Sequence, residues 1–80
     1  MESNLIKINL NDFADIKKFV RIAQGFCSDI DIVKDKIVVD GKSLLGVLAL
    51  DLSSDIYVRI ITDNITERRN FEAEMEAFRC

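Results

Sequence analysis

The sequence predicts an α+β fold, a two-layer sandwich in which a four-stranded antiparallel sheet carries all of its helices on one face. Three observations lead to this class: short segments of alternating polarity, longer segments of helical periodicity between them, and short connections. The resulting element order is β-α-β-β-α-β-α. Elements that follow one another in this way bury their apolar sides by packing as two layers around one core.

The first two elements are a strand and a surface helix. Residues 5–10 alternate in polarity as a half-buried strand does. From Asn11 the period becomes helical, with Asn11 or Asp12 expected to cap the helix and Gly25 to end it in a left-handed conformation. The expected core stripe of this helix contains Phe13, Ile16, Phe19, Val20, Ile22, Ala23 and Phe26.

The remaining elements are a hairpin, a short helix, a strand and a last helix. Residues 28–33 and 36–40 are expected to pair as an antiparallel hairpin around a turn at Lys34-Asp35. Residues 43–50 are typical of a short helix, residues 56–62 alternate clearly as a strand, and residues 65–79 have helical spacing.

The last helix carries several acidic residues. Asn64 and Glu67 have the spacing of a capping box, in which the glutamate side chain accepts a hydrogen bond from the backbone N–H of the cap residue. We expect the acidic face of the helix to be solvated rather than to bind a metal, because arginines are scattered among its members, which are Glu67, Glu72, Glu74 and Glu76.

Size and composition limit the classes of function. The chain has 80 residues, of which 49% are hydrophobic, and it predicts one domain over residues 1–80 with one core. A net charge of −3 argues against nucleic-acid binding, which needs a basic surface.

No apolar run reaches the ~20 residues that cross a bilayer, and no signal peptide is evident. Because Cys27 and Cys80 have neither metal nor disulfide-scaffold spacing, we expect a cytoplasmic protein. Cys27 is expected to be a small, partly buried hydrophobe.

The chemically suggestive segment is VVDGKSLLGVLALDL, residues 38–52. Gly41-Lys42-Ser43 matches the end of a nucleotide-binding P-loop, but that loop needs a further glycine where Lys36 stands. A nucleotide site is therefore excluded. The sequence also contains no histidine, which removes the commonest general base and metal ligand. We predict no enzyme activity, no catalytic residue, no cofactor and no metal.

The apolar run after Ser43 covers more than one side of a short helix. Val47 and Leu50 are expected to point inward, and Gly46 is expected to mark a close backbone approach. The outward leucines then form a group typical of a docking surface: Leu44, Leu45 and Leu48. The alternative is that all three belong to the core of a small domain.

The element order and the segment DGKSLLGVLAL together resemble HPr, the histidine-containing phosphocarrier of the bacterial sugar phosphotransferase system. The segment is similar to the family's signature around its regulatory serine: a lysine, the serine, two apolar residues, Gly46, and an apolar run that ends at Leu50. GFCSDIDI, residues 25–32, is similar to the segment that links the family's first helix and second strand. The resemblance implies an open-faced sandwich with the strand order 1-4-2-3.

The resemblance also implies roles for particular residues. Ser43 stands where a dedicated kinase phosphorylates the family's regulatory serine, and a helix N-terminus stabilises the added negative charge. The alternative role of Ser43 is an ordinary N-cap. The implied protein-binding residues, which would meet phosphotransferase components or transcriptional regulators, are Lys42, Leu44, Leu45 and Leu48.

The family's phosphorylated loop is altered in this chain. Counted back from Ser43 without a gap, the histidine position falls on Asp12, with Ala14 and Asp15 where the family has arginine and proline. Relay of phosphate through histidine is therefore excluded. Asp12 is the one candidate for another acceptor, since an aspartate at a helix N-terminus can take a phosphoryl group. The alternative is that Asp12 only caps the helix.

Three functions follow as hypotheses. The first is a regulatory, protein-binding relative of HPr that docks through the helix after Ser43. The second is a phosphoryl carrier that uses Asp12. The third is a structural domain that associates with a second copy through the same apolar helix.

Overall fold

The structure, a computed structural model, describes residues 5–53 and 55–79. Its strands are β1 (Ile6–Ile8), β2 (Asp29–Lys34), β3 (Ile37–Asp40) and β4 (Ile56–Ile61), and its helices are α1 (Phe13–Gln24), α2 (Leu44–Leu48) and α3 (Ile65–Met75), followed by a 3₁₀ turn, Glu76–Phe78. The strands form one antiparallel sheet in the order β1-β4-β2-β3. The predicted fold class and strand order are confirmed.

The core lies between the helices and one face of the sheet. Alternate strand residues supply the sheet side of this core and are buried: Ile8, Ile30, Ile32, Ile56, Val58 and Ile60. The helices supply the other side, with Ile16, Phe19, Val20, Ala23, Val47, Phe71 and Met75, and Phe78 of the 3₁₀ turn adds to it. Burial of these apolar side chains makes the largest favourable contribution to the free energy that holds the two layers together.

The opposite face of the sheet carries no helix in the part of the chain that the structure describes. An ion pair lies on this open face, where Arg59 Nη2 is 3.0 Å from Asp31 Oδ2. Beside it, one cross-strand row runs through all four strands, with the order Lys7, Tyr57, Val33 and Val38. Side chains that alternate with a buried set point to the other side of a sheet, so this row faces outward.

Three details of α1 and of the hairpin differ from expectation. Gly25 ends α1 with φ −78°, not in a left-handed conformation, because its N–H bonds to the Ile22 carbonyl and tightens the last turn. Phe13 is 53% exposed instead of buried in the core stripe, and the Lys17 ammonium lies 5.4 Å from its ring centre. The hairpin turn lies one residue later than expected, and Asp35 takes a φ of 54° there. Aspartate tolerates this region better than most residues do.

No helix in residues 5–53 and 55–79 is long and apolar enough to cross a membrane.

Candidate functional site

The candidate site is built around α2 and its N-cap, Ser43. The Ser43 Oγ accepts a hydrogen bond from the Gly46 N–H at 3.1 Å, and the Ser43 carbonyl accepts one from the Val47 N–H at 3.0 Å. Val47 is fully buried and holds the helix on the core. A helix of only five residues is too short to be stable alone, so tertiary packing through Val47 keeps it in place.

Two leucines on the outer side of α2 form what we call the leucine patch, Leu45 and Leu48. Leu45 is 81% exposed and Leu48 is 43% exposed. Leu44 is partly buried and packs against the core. The interpretation that all three leucines are core is therefore wrong for Leu45 and Leu48. Residues three apart on a helix are neighbours, so the patch is one continuous apolar surface.

Lys42 links the start of α2 to the end of α1. Its ammonium donates to the Phe26 carbonyl at 2.7 Å, and its own carbonyl accepts from the Gln24 side-chain amide at 3.0 Å. Its N–H donates to Asp40 Oδ1 at 2.9 Å. All three contacts fix the chain immediately before Ser43, so the Lys42 ammonium has a structural role close to the leucine patch.

Basic side chains of α1 lie beside α2. A shallow cavity of about 190 Å³ between the two helices is lined by Lys17, Val20, Arg21, Gln24 and Leu44. Lys17 and Arg21 are exposed at the surface. Positive charge therefore borders the α2 surface. Lys17 and Arg21 lie outside the core stripe expected for α1, but helical periodicity alone could not show that they lie beside α2.

The three helices begin with the same capping geometry. In each, the cap side chain accepts from the N–H three residues on: Asp12 from Asp15 at 2.9 Å, Ser43 from Gly46 at 3.1 Å, and Asn64 from Glu67 at 3.0 Å. The third helical residue is acidic in α1 (Asp15) and in α3 (Glu67), whereas the first turn of α2 contains no acidic residue. A phosphate on Ser43 would therefore meet no carboxylate within its own first turn.

Asp12 has different surroundings from Ser43. Its carboxylate is engaged as the α1 cap, and Asp15 Oδ2 lies close enough to accept from the Asn11 N–H at 3.1 Å. A second carboxylate so near would repel a phosphoryl group on Asp12. Phosphoryl transfer also needs a metal or a cationic clamp. Within residues 5–53 and 55–79, no group of three acidic or cysteine side chains is placed to hold a metal ion.

Gly46 does not mark the close approach that its sequence position suggested. A Cβ there would lie 3.4 Å from Ser43 Oγ and 3.8 Å from Val39 Cβ, which is ordinary contact. The true close approach is at Gly41, where a Cβ would lie 2.8 Å from Ile30 Cγ2. The missing side chain at Gly46 leaves one side of the Ser43 hydroxyl open.

Glu67 makes a contact that sequence reasoning missed. Its carboxylate accepts hydrogen bonds from the Cys27 N–H, at 3.1 Å, and from the Ser28 hydroxyl. The Ser28 bond is the main reason that the pKa of Glu67 lies below its ordinary value. The expected hydrogen bond from Asn64 N–H to Glu67 is not formed, because the Glu67 carboxylate bonds to the loop after α1 and the Asn64 N–H donates to Thr62. Glu67 is partly exposed, and the other three glutamates of the predicted acidic face are exposed as expected. Cys27 is exposed rather than partly buried, and Cys80 lies outside the described residues.

Comparisons with known proteins agree with the fold. The family described as "PTS HPr component phosphorylation site" matches residues 15–79, a span that begins after Asp12 and includes Ser43. Among solved structures, HPr-C-His from Thermoanaerobacter tengcongensis is 23% identical with a TM-score of 0.74, covering 96% of this chain and 93% of that one. A phosphocarrier protein HPr from Bacillus anthracis str. Ames is 22% identical with a TM-score of 0.73, covering 99% of this chain and 100% of that one. No curated protein matches the sequence.

Proposed function

This chain belongs to the HPr family of phosphocarrier proteins, and we propose that it acts within that family as a regulatory, protein-binding module rather than as a histidyl phosphocarrier. The observation that carries the proposal is the exposed leucine patch on α2, with Leu45 81% exposed. A small protein gains nothing for its own core from so exposed a leucine. Grouped exposed apolar residues are typical of a surface that a partner covers.

The charges beside Leu44, which precedes the leucine patch on α2, support a particular kind of partner. Lys17 and Arg21 lie on α1 beside Leu44 of α2. A surface that is apolar in the middle and positive at one border is complementary to an apolar pocket bordered by carboxylates. We infer that the partners are cytoplasmic proteins with such pockets, among them phosphotransferase components, an HPr-type serine kinase or transcriptional regulators. Lys42 supports this surface indirectly, by holding the start of α2 through Phe26.

Loss of carrier chemistry is supported by the sequence and by the surroundings of Asp12. The sequence contains no histidine, and the Asp12 carboxylate caps α1 beside a second carboxylate. A carrier needs an acceptor that takes and releases phosphate readily, with cations to stabilise the transferring oxygens. We infer that the protein is not an enzyme, passes no phosphate through Asp12, and needs no cofactor or metal.

Ser43 is the proposed site of regulation. Its hydroxyl lies at the start of α2, where Lys42 precedes it and no acid follows in the first turn. A phosphate there adds a charge of about −2, next to the leucine patch. Such a charge disfavours docking into an apolar pocket with an acidic border, and it favours partners that carry arginines.

Binding to purified partners tests the docking surface. We expect Leu45→Asp to weaken binding to an HPr-type serine kinase, or to another phosphotransferase protein, by about 30-fold or more, the effect of losing a central contact. Ile65→Asp is the matched control, because it places the same charge on another exposed apolar residue, at the start of α3. Calorimetry of both variants gives the measurement. Equal affinities for the two variants would rule out the leucine patch as the docking surface.

Mass spectrometry tests the regulatory site. Incubation with an HPr-type serine kinase and ATP is expected to add the mass of one phosphate. Ser43→Ala should abolish that gain, whereas Ser53→Ala, the matched control at another loop serine, should keep it. A phosphate that resists acid is a phosphoserine. A label lost to hydroxylamine and dependent on Asp12 would instead support the second hypothesis, a carrier that uses an acyl phosphate.

A further inference from the structure

The outer edge of β3 is an exposed apolar strand edge. Among the described strands, β3 pairs with β2 alone. Ile37 is 54% exposed and Val38 is 51% exposed. Neither a proline nor a charged residue interrupts the middle of the strand, although edge strands are usually protected by such residues.

The hydrogen-bond pattern shows which backbone groups of β3 face outward. The Gly41 N–H donates to the Ile30 carbonyl at 2.7 Å. Because the pattern alternates along an antiparallel strand, Val39 and Ile37 also direct their backbone groups toward β2. The N–H and carbonyl of Val38 therefore point away from the sheet, toward the position that another strand would occupy.

The charges that flank β3 differ in sign. Lys36 precedes the strand, Asp40 ends it, and both side chains are exposed. Two lysines or two aspartates at these positions would repel a second antiparallel copy of the strand. A lysine at the start and an aspartate at the end attract instead, because antiparallel pairing places Lys36 of one copy beside Asp40 of the other.

We propose that β3 pairs antiparallel with β3 of a second copy of this chain, around a two-fold axis at Val38. In this register Val38 faces the same residue of the second copy, and each Ile37 faces a Val39. Each Lys36 lies beside an Asp40 at both ends of the pair. The two outward backbone groups of each Val38 then form the central hydrogen bonds of an eight-stranded sheet.

The open face of the sheet favours the same register. Val38 is opposite Val33, which is opposite Tyr57. Pairing at Val38 joins this row to the same row of the second copy, so that neighbouring apolar side chains continue across the junction. A strand of four residues buries less than the roughly 1,000 Å² of a stable interface, so the association is expected to be weak and dependent on concentration.

Sedimentation velocity from micromolar to millimolar concentrations tests the proposal, which does not depend on the proposed function. The wild-type protein is expected to form dimers at the upper end. Lys36→Glu and Asp40→Lys, each alone, should raise the dimer Kd by about tenfold, because like charges then meet at both ends. An equimolar mixture of the two variants should restore association, since the acidic strand of one pairs with the basic strand of the other. Monomeric wild-type protein at every concentration would overturn the proposal.

Asp40 also accepts a hydrogen bond from the Lys42 N–H, so Asp40→Lys removes a contact within the fold as well as one across the proposed interface. A second pair of variants therefore tests the pairing without changing Asp40. Val38→Lys should abolish the dimer, whereas Ile61→Lys, which adds the same charge to an exposed residue of β4, should leave it intact. Thermal unfolding should show both variants to be folded. A dimer that survives Val38→Lys but is lost in Leu45→Asp would mean association through α2 and would refute the pairing of β3.

Discussion

The starts of α1 and α2 have the same geometry and different surroundings. Asp12 and Ser43 each accept a hydrogen bond from the N–H three residues on, at 2.9 and 3.1 Å. Beyond the cap, α1 continues with Asp15, while α2 continues with two leucines and Gly46. Capping geometry alone therefore does not distinguish a structural helix start from a candidate regulatory site.

The difference lies in what each helix start can accommodate. At α1, the cap carboxylate and its neighbour already place negative charge on the free N–H groups. At α2, the cap residue Ser43 is neutral and the first turn contains no acid, although the Asp40 carboxylate accepts a hydrogen bond from the Lys42 N–H just before the helix. We therefore expect a phosphate to be accommodated better at Ser43, whose cap is neutral, than at Asp12, whose cap and neighbour are both carboxylates. The start of α3 has an acid at the third helical position, Glu67, but its carboxylate bonds to Cys27 and Ser28 of the loop after α1.

The largest expected effect comes from making α2 like the other two helices. Gly46→Glu places a carboxylate at the third position, and we expect it to slow phosphorylation of Ser43 by an HPr-type kinase by about tenfold, through repulsion and crowding. Gly46→Gln is the matched control, with the same shape and no charge. The rates come from mass spectrometry at low and physiological salt. Equal rates for the two variants would mean that charge does not distinguish the helix starts.

Removing a cap should have a similar effect on stability at either helix. Asp12→Ala and Ser43→Ala are each expected to lower the free energy of unfolding by about 1 kcal/mol, because an N–H group loses its partner. Chemical denaturation provides the measurement. In contrast, only Ser43→Ala should remove the phosphorylation described above. A stability loss confined to one variant would show that the two caps are not energetically equivalent.

A smaller effect of opposite sign is expected from Gly46→Ala. The added Cβ meets Ser43 Oγ at 3.4 Å, a tolerable distance. Alanine should therefore stabilise the protein by roughly 0.5–1 kcal/mol, through its better helix propensity. Gly41→Ala is the contrasting variant, since its Cβ would lie 2.8 Å from Ile30 Cγ2, and it should be destabilising. Thermal unfolding separates the two, and destabilisation by Gly46→Ala would indicate that Gly46 is structurally required.

The smallest expected effect concerns the start of α3. The pKa of Glu67 is below its ordinary value of 4.5, chiefly because of the Ser28 hydrogen bond. A lowered pKa contributes stability above the ordinary value, and that contribution is lost as the pH falls through the folded-state pKa. The difference in unfolding free energy between wild type and Glu67→Gln should therefore shrink on going from pH 7 to below about pH 4. Glu72→Gln is the control for an exposed glutamate of the same helix, and parallel curves for wild type and Glu67→Gln would contradict the role of the Ser28 bond.

Much of the fold could be predicted because periodicity is a local property. The alternation of Ile56, Val58 and Ile60 indicated a strand with these three residues on one face, and in the structure that face is buried. The sequence prediction fails where a side chain can form hydrogen bonds with more than one part of the chain. Glu67 had the spacing of a capping box, yet its carboxylate bonds to residues 27 and 28, some 40 positions away in sequence.

The candidate site was predictable in part for the same reason. Residues 43–50 indicated a capped helix with more apolar residues than one buried face needs. Which leucine would be covered depended on how α1 and the sheet pack against α2, so Leu44 is partly buried while Leu45 is exposed. The basic border at Lys17 and Arg21 arises from the same packing.

By itself, the sequence determined the order of the elements, the alternating faces of the strands, a cap for α1 at Asn11 or Asp12, and the lack of any imidazole to carry phosphate, while the structure selected Asp12 as the cap. Tertiary structure alone decided that Leu45 and Leu48 remain exposed, that Lys42 bonds to Phe26, and that β3 ends the sheet with an apolar edge. The physical reason is that periodicity and capping act within a few residues. Exposure and long-range hydrogen bonds depend on segments that meet only when the whole chain is folded.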